Sequence, residues 1–255
     1  MIRGLVALIG SLLLTLCFGL TGIVFSLVNP RGEWIFRLGK GWARSICSVS
    51  GVSVEVQAAE HAPRGAPAIL VANHQSNFDI LAILIAMPVP VRFVAKRLLF
   101  RIPVFGWCLS LAGMIPIDRE RRASAIRSLD AAAERIREGH PVLFFPEGTR
   151  SSDGRLLPFK KGAFVIALKS GIPIVPVSIA GGVEVLRKGS LRIRPGKIVL
   201  RWNEALGTAG RGPDARDALL ERARRAILSG LAEIDPSLYG PGGTRYEPTT
   251  PPGGA

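Results

Sequence analysis

The sequence is poor in cysteine and in acid. Its three cysteines, Cys17, Cys47 and Cys108, are widely spaced and form no CxxC or histidine-paired set. That excludes a disulfide framework and a cysteine-based zinc site, and a reducing cytoplasmic setting fits. Asp and Glu total 19 against 33 Lys and Arg, a formal net charge of +14 that favours anionic partners. Nucleic acid, anionic lipid surfaces and phosphorylated substrates all belong to that class. No GxSxG elbow occurs, so the sequence signal of a serine hydrolase is missing. Internal repeats are absent as well. At 255 residues the chain suits one α/β domain with a membrane-attachment segment.

Charge is absent altogether from residues 4–30, where the apolar excess behind the mean hydropathy of +0.31 is concentrated. As a helix this run spans about 40 Å, enough to cross a hydrocarbon core of about 30 Å. It is too long for the apolar part of a signal peptide, and no small-residue cleavage pattern closes it before Pro30. Beyond it stand Arg31, Arg37, Lys40 and Arg44 against the single Glu33, while Arg3 is nearly alone in front. This asymmetry predicts a cell-membrane protein with the rest of the chain on the cytoplasmic face. Residues 31–48 space Trp34, Ile35, Leu38, Trp42 and Ile46 along one helical face between basic residues, the pattern of a helix in the headgroup layer. The first segment either spans the bilayer or returns as a hairpin with the second. The expected organisation is membrane-anchoring helices at 1–50, an α/β domain at 51–234 and a disordered Pro/Gly/Thr-rich tail at 235–255.

What is present centres on residues 73–79, NHQSNFD, which follow the apolar run Ala68-Ile69-Leu70-Val71-Ala72. That run reads as a strand buried on both faces. His74 then lies just past the strand, and Phe78 to Ala86 begins a helix. On one continuous helix, residues five apart are splayed by roughly 140°. His74 and Asp79 therefore meet only if the first is in the turn and the second in the first helical turn. There the carboxylate orients one imidazole nitrogen and leaves the other to accept a substrate proton, the base-plus-orienter arrangement of acyl transfer without the serine. The plainer reading is a hydrogen-bonded loop histidine, with Asp79 serving only to cap the helix.

A second motif repeats that placement. Pro141 to Phe145 reads as another apolar strand, and it delivers FPEGTRSSDG at 145–154. Gly148 lets a backbone approach a ligand, Thr149 adds a hydroxyl and Arg150 offers a fork for phosphate. Open α/β sheets place their ligands at such strand ends. Further strands are expected at 52–56, 91–95, 113–119 (ending in Asp118-Arg119), 172–179, 191–193 and 198–202, the last two as a hairpin. Pro173 and Pro176 mark 172–179 as a bent or edge strand. Helices are expected at 120–138, 160–170 and 214–231. Lys96 to Gly113 mixes basic and large apolar residues and reads either as a partly buried helix or as a surface facing lipid headgroups. Arg119 at a strand end is either solvated or a substrate clamp. The sum is an α/β fold with a mixed, largely parallel central sheet flanked by helices, behind an N-terminal membrane helix or two-helix attachment motif.

The order of these pieces resembles the 1-acyl-sn-glycerol-3-phosphate (lysophosphatidic acid) acyltransferase family of glycerolipid acyltransferases. The blocks are NHQSNFD at 73–79, GMIPIDR at 113–119, FPEGTRS at 145–151 and IPIVPVSI at 172–179, with PFKKGAFVIAL at 158–168 also similar. The likeness runs from about Ala68 to Ala180. One departure is Lys96-Arg97, where many members carry an acidic residue before the leucine. The resemblance implies that His74 is the general base and Asp79 its orienter. It assigns Glu147, Gly148, Thr149 and Arg150, with Lys96 and Arg119, to the glycerol phosphate of lysophosphatidic acid, and gives Ser76 no role. Pro176 shapes the acyl-donor side. The donor it implies is acyl-CoA or acyl-carrier protein, with no cofactor, no metal and no nucleic acid. Its rivals are O-acylation of another lysolipid, such as a lyso-ornithine lipid or lysophospholipid, and a non-catalytic basic protein binding membrane surfaces or nucleic acid.

Overall fold

The computed structural model describes residues 2–28, 33–118 and 122–245. Seven strands form its centre: β1 (Val52–Gln57), β2 (Ile69–Ala72), β3 (Arg92–Lys96), β4 (Ile115–Ile117), β5 (Val142–Phe144), β6 (Ile174–Ala180) and β7 (Gly196–Trp202). They lie in the order β1-β7-β6-β2-β5-β3-β4. Every neighbouring pair is parallel except β6 with β7, so the sheet is mixed and largely parallel, as expected. β2 is fully buried along all four residues, which is why its sequence is apolar without alternation. Leu70 and Leu143 face one core with α3 (Phe78–Ala86), whereas Ile69, Val71, Val142 and Phe144 face another. That second core is closed by α5 (Arg122–Arg137), α6 (Gly162–Ser170) and α8 (Arg216–Ile234).

In front of the sheet, α1 (Ile2–Val28) and α2 (Glu33–Ser50) form an antiparallel pair. Within α1, Val6–Leu27 is long and apolar enough to cross a membrane, and only 11% of its most apolar window is buried inside the chain. The other side of α1 is held by the protein along its length. Trp42 Nε1 donates to Thr15 Oγ1 at 3.0 Å, Phe25 stacks on Trp34, and Phe18 lies against Gly41. Gly19 meets Val104 at the start of α4 (Phe105–Leu111) so closely that a Cβ would lie 2.5 Å from it. The stretch from Lys96 to Gly113 thus contains the short helix α4, and it exposes Leu98 and Ile102 ahead of that helix and Trp107 and Leu111 on it.

Three expectations need correction. The proline-containing strand is internal, because β6 pairs with β2 on one side and β7 on the other. Pro176 is tolerated where the β6–β7 register slips by one residue, from Ile174↔Leu206 to Val177↔Trp202. There its carbonyl accepts from Asn203 N at 3.0 Å and its missing N–H leaves no gap in the parallel ladder to β2. Residues 191–193 form no strand. Leu191 is 76% exposed and Pro195 cannot donate, so the segment is held instead by Arg194 N donating to Val185 O at 2.9 Å. Finally, the tail is structured through Arg245: α9 (Pro236–Tyr239) follows α8, and Tyr239 is buried. Residues 246–255 lie outside the described residues.

Candidate active site

His74 leaves the carboxyl end of β2, flanked by β6 and β5. The peptide before it is fixed first. Asn73 Nδ2 donates to Ile179 O at 2.7 Å and its Oδ1 accepts from Ile179 N at 2.8 Å, so a side-chain amide continues the ladder to β6. The chain then turns, and α3 begins at Phe78 with Asp79 in its first turn. Asp79 is fully buried, and its Oδ2 gathers three donors: Gln75 N at 2.6 Å, Ser76 N at 2.8 Å and His74 Nδ1 at 2.9 Å. A carboxylate oxygen only accepts, so the 2.9 Å contact assigns the ring proton to Nδ1. Nε2 is left with its lone pair and has no partner among the described residues. The Asp79 carboxylate thus satisfies the turn's backbone donors and at the same time bonds the imidazole.

The ring is clamped from the β5 side. Phe145 stacks on it, with centroids 3.9 Å apart and planes at 16°. Ser151 N donates to His74 O at 2.8 Å, so the two motifs, more than seventy residues apart in sequence, are bonded at the same sheet edge. Glu147 does not reach outward from that loop. Its Oε1 accepts from His74 N at 2.7 Å and its Oε2 from Leu157 N at 3.0 Å, and the side chain is buried. The expected role of Glu147 as a ligand grip is corrected to a brace behind His74, since both of its oxygens are taken by backbone donors and the side chain is buried. Ser76 is excluded as a nucleophile, because its hydroxyl donates to Leu186 O at 2.9 Å and is fully buried.

The remaining candidates sit around the mouth. Gly148 adopts φ +72°, and a Cβ there would meet Lys160 Cε at 2.8 Å. Thr149 is exposed and its hydroxyl accepts from Lys188 Nζ at 2.9 Å. Arg150 is half-buried, with no ion pair or hydrogen bond among the described residues. Lys96 is exposed at the carboxyl end of β3, two strands from β2, so it shares the sheet edge but not the His74 hydrogen-bond network. Arg119 lies outside the described residues. Beneath the loop a cavity of about 260 Å³ is lined by Val94, Ile117, Phe144, Phe145, Gly148 and Lys160. No group of three or more metal-ligating side chains occurs among the described residues. Sequence reasoning missed the supports: Asn73, Phe145 and Gln75 lay inside the motifs without a named role. It also missed Gly182 of α7 (Gly182–Val185), where a Cβ would lie 2.6 Å from Asp79 Oδ1.

The chain is similar to known proteins over most of the α/β region. A family model described as Acyltransferase matches residues 53–180. The 1-acyl-sn-glycerol-3-phosphate acyltransferase BAT2, chloroplastic, of Brassica napus is 40% identical over 174 residues, 67% of this chain and 50% of that protein. The chain thus spans about half the length of this plant relative. The 1-acyl-sn-glycerol-3-phosphate acyltransferase alpha of Ovis aries is 37% identical over 197 residues, 77% of this chain and 68% of that protein. Among solved structures, the 1-acyl-sn-glycerophosphate (LPA) acyltransferase PlsC from Thermotoga maritima superposes with a TM-score of 0.72 at 30% identity, covering 89% of this chain and 96% of that one.

Glu147 gives the site a pH signature. Burial pushes its carboxyl up to about 8, against the pull of the His74 and Leu157 backbone donors. Between the ordinary value of 4.5 and about 8, the folded chain keeps a proton that the unfolded chain has released. The stability this group contributes is therefore complete below about pH 4.5 and is lost as pH rises to about 8, at no more than about 1.4 kcal/mol per unit. Melting temperatures in detergent should fall across that window in the wild type and fall less steeply in Glu147→Gln; equal slopes in the two proteins would contradict the assignment.

Proposed function

The chain belongs to the acyltransferase family, and from that premise we propose that it transfers a fatty acyl group from an acyl thioester to the sn-2 hydroxyl of lysophosphatidic acid, giving phosphatidic acid. The observation that carries this reading is the His74–Asp79 pair at 2.9 Å, with the nearby Ser76 hydroxyl committed to Leu186 O. His74 Nε2 takes the proton of the attacking hydroxyl while Asp79 stabilises the imidazolium that forms. The hydroxyl oxygen adds to the thioester carbonyl, the carbon–sulfur bond breaks, and the departing thiolate receives the proton from His74. The oxygen ester and free thiol are the products, and no acyl-enzyme intervenes, because the Ser76 hydroxyl is committed to Leu186. Acyl-CoA and acyl-carrier protein both supply the required thioester. The acceptor follows the names of the relatives and the cations at the mouth: half-buried Arg150 without a partner among the described residues, exposed Lys96, and Lys188 on Thr149.

Membrane attachment follows from α1. Its contacts with Trp42, Val104 and Trp34 run along most of its length, so a full crossing would drag α2 and α4 into hydrocarbon with it. We read α1 and α2 as a hairpin lying in the cytoplasmic leaflet, with exposed Trp34, Leu98, Ile102 and Trp107 at the lipid boundary and Arg37, Arg97 and Arg101 among the headgroups. The acceptor then reaches the sheet edge by lateral diffusion.

Purified protein in mixed micelles should release free thiol from an acyl thioester only when lysophosphatidic acid is present. His74→Ala should lower kcat by about 10²–10⁴-fold while the protein stays folded. A full rate in that variant would end the proposal. Arg150→Ala should raise KM for lysophosphatidic acid and leave a phosphate-free lysolipid unaffected; faster turnover of the phosphate-free lipid by the wild type would shift the acceptor to that class. Gly182→Ala, whose Cβ would displace the Asp79 carboxylate, should cost about 10²-fold in kcat, and undiminished kcat would show that the carboxylate position is immaterial.

A further inference from the structure

Residues 235–245 lie beyond the sheet and beyond the block at 53–180 matched by the family model, yet they return across the catalytic turn. Asp235 starts this return: its Oδ1 accepts from Ser237 N and Leu238 N, each at 3.1 Å, and Pro236 occupies the first helical position. The short helix so formed carries Tyr239 inward until it is 4% exposed. The Tyr239 hydroxyl accepts from Gln75 Nε2 at 2.8 Å and from the Arg245 guanidinium at 3.3 Å.

Arg245 closes the strap. Its guanidinium lies 5.7 Å from the Tyr239 ring centroid, pairs with Glu184 of α7 at 2.5 Å, and packs on Gly154, where a Cβ would meet it at 2.7 Å. Arg155 adds a hydrogen bond to Thr244 O at 3.0 Å. Turn, second-motif loop and tail are thus stitched together at one place.

Gln75 sits between His74 and Ser76, and its backbone N–H makes the shortest of the three hydrogen bonds to Asp79 Oδ2. Its side chain is 1% exposed and has two acceptors, Tyr239 Oη and Gly154 O at 3.2 Å. Removing the phenol oxygen leaves a buried amide N–H unpaired in a side chain whose Oε1 already has no partner among the described residues, which favours its reorientation. The other tethers of the turn, Asn73 to Ile179, Ser76 to Leu186 and Glu147 to His74, come from within or immediately beyond the matched block. The Gln75 tether alone among these reaches the tail.

We infer that Tyr239 is a positioning residue for the reaction: held by Arg245, its hydroxyl fixes Gln75 and, through the Gln75 N–H, the carboxylate that orients His74. The inference rests on the reading of His74 as the base. Tyr239→Phe keeps the buried ring and deletes only the oxygen. Its kcat should fall about ten-fold with KM for both substrates within about two-fold of wild type. Its melting temperature should drop by no more than about 4 °C, and amide hydrogen exchange over residues 73–79 should quicken. If Tyr239→Phe fails to fold, Arg245→Gln, which loosens the strap from outside, carries the same test with the same expected pattern. Wild-type kcat, unchanged exchange over 73–79, or a loss of rate that merely tracks loss of folded protein would each overturn the inference. A wild-type protein that releases no thiol with lysophosphatidic acid would refute the proposed function instead, and the exchange measurement would then decide the strap by itself.

Discussion

One oxygen atom carries the architecture of the site. Asp79 Oδ2 accepts two backbone N–H groups of the turn and the Nδ1 proton of His74, so turn geometry and imidazole orientation are the same fact. A buried carboxylate is costly unless its hydrogen bonds are made; here the motif folds around meeting Oδ2, while Oδ1 is buried without a partner among the described residues. The spacing of five residues between His74 and Asp79 is what a turn followed by one helical turn requires. Moving either residue by one position would put the side chains on different faces.

The turn is rigid because its neighbours leave it little freedom. β2 is gripped on both sides by parallel strands, Asn73 extends the ladder to β6, and Phe145 just past β5 covers the ring. Glu147 braces the turn from behind, and burial keeps its carboxyl protonated to about pH 8. A neutral Glu147 satisfies backbone donors without adding a second negative charge beside Asp79. The exposed cations then stand apart from the base, at the mouth, where a phosphate can be met without disturbing the buried network.

Much of this was legible in the sequence because it depends on local pattern. An unbroken apolar run predicts β2, an abrupt NHQSNFD predicts the turn, and a second run ending in FPEGTR predicts a loop at the same edge. The charge-free N-terminus and the Trp-and-Arg face behind it predict α1 and α2. What escaped depends on partners distant in sequence. Pro176 argues for an edge strand until the register slip opposite Asn203 is seen. Leu191 and Ile193 alternate like a strand although Leu191 faces outward. Glu147 reads as a ligand contact until its oxygens are found on His74 and Leu157. Tyr239 lies in a Pro/Gly-rich stretch with no periodicity, so nothing in the sequence marks it as buried against Gln75.

The most direct measurement of the central claim is the tautomer of His74, read by ¹⁵N NMR of ring-labelled protein in detergent at alkaline pH. Replacement of His61 and His140 makes His74 the sole histidine. The account predicts a protonated, slowly exchanging Nδ1 and an unprotonated Nε2. A ring protonated at Nε2, or one averaging between the two tautomers, would contradict it.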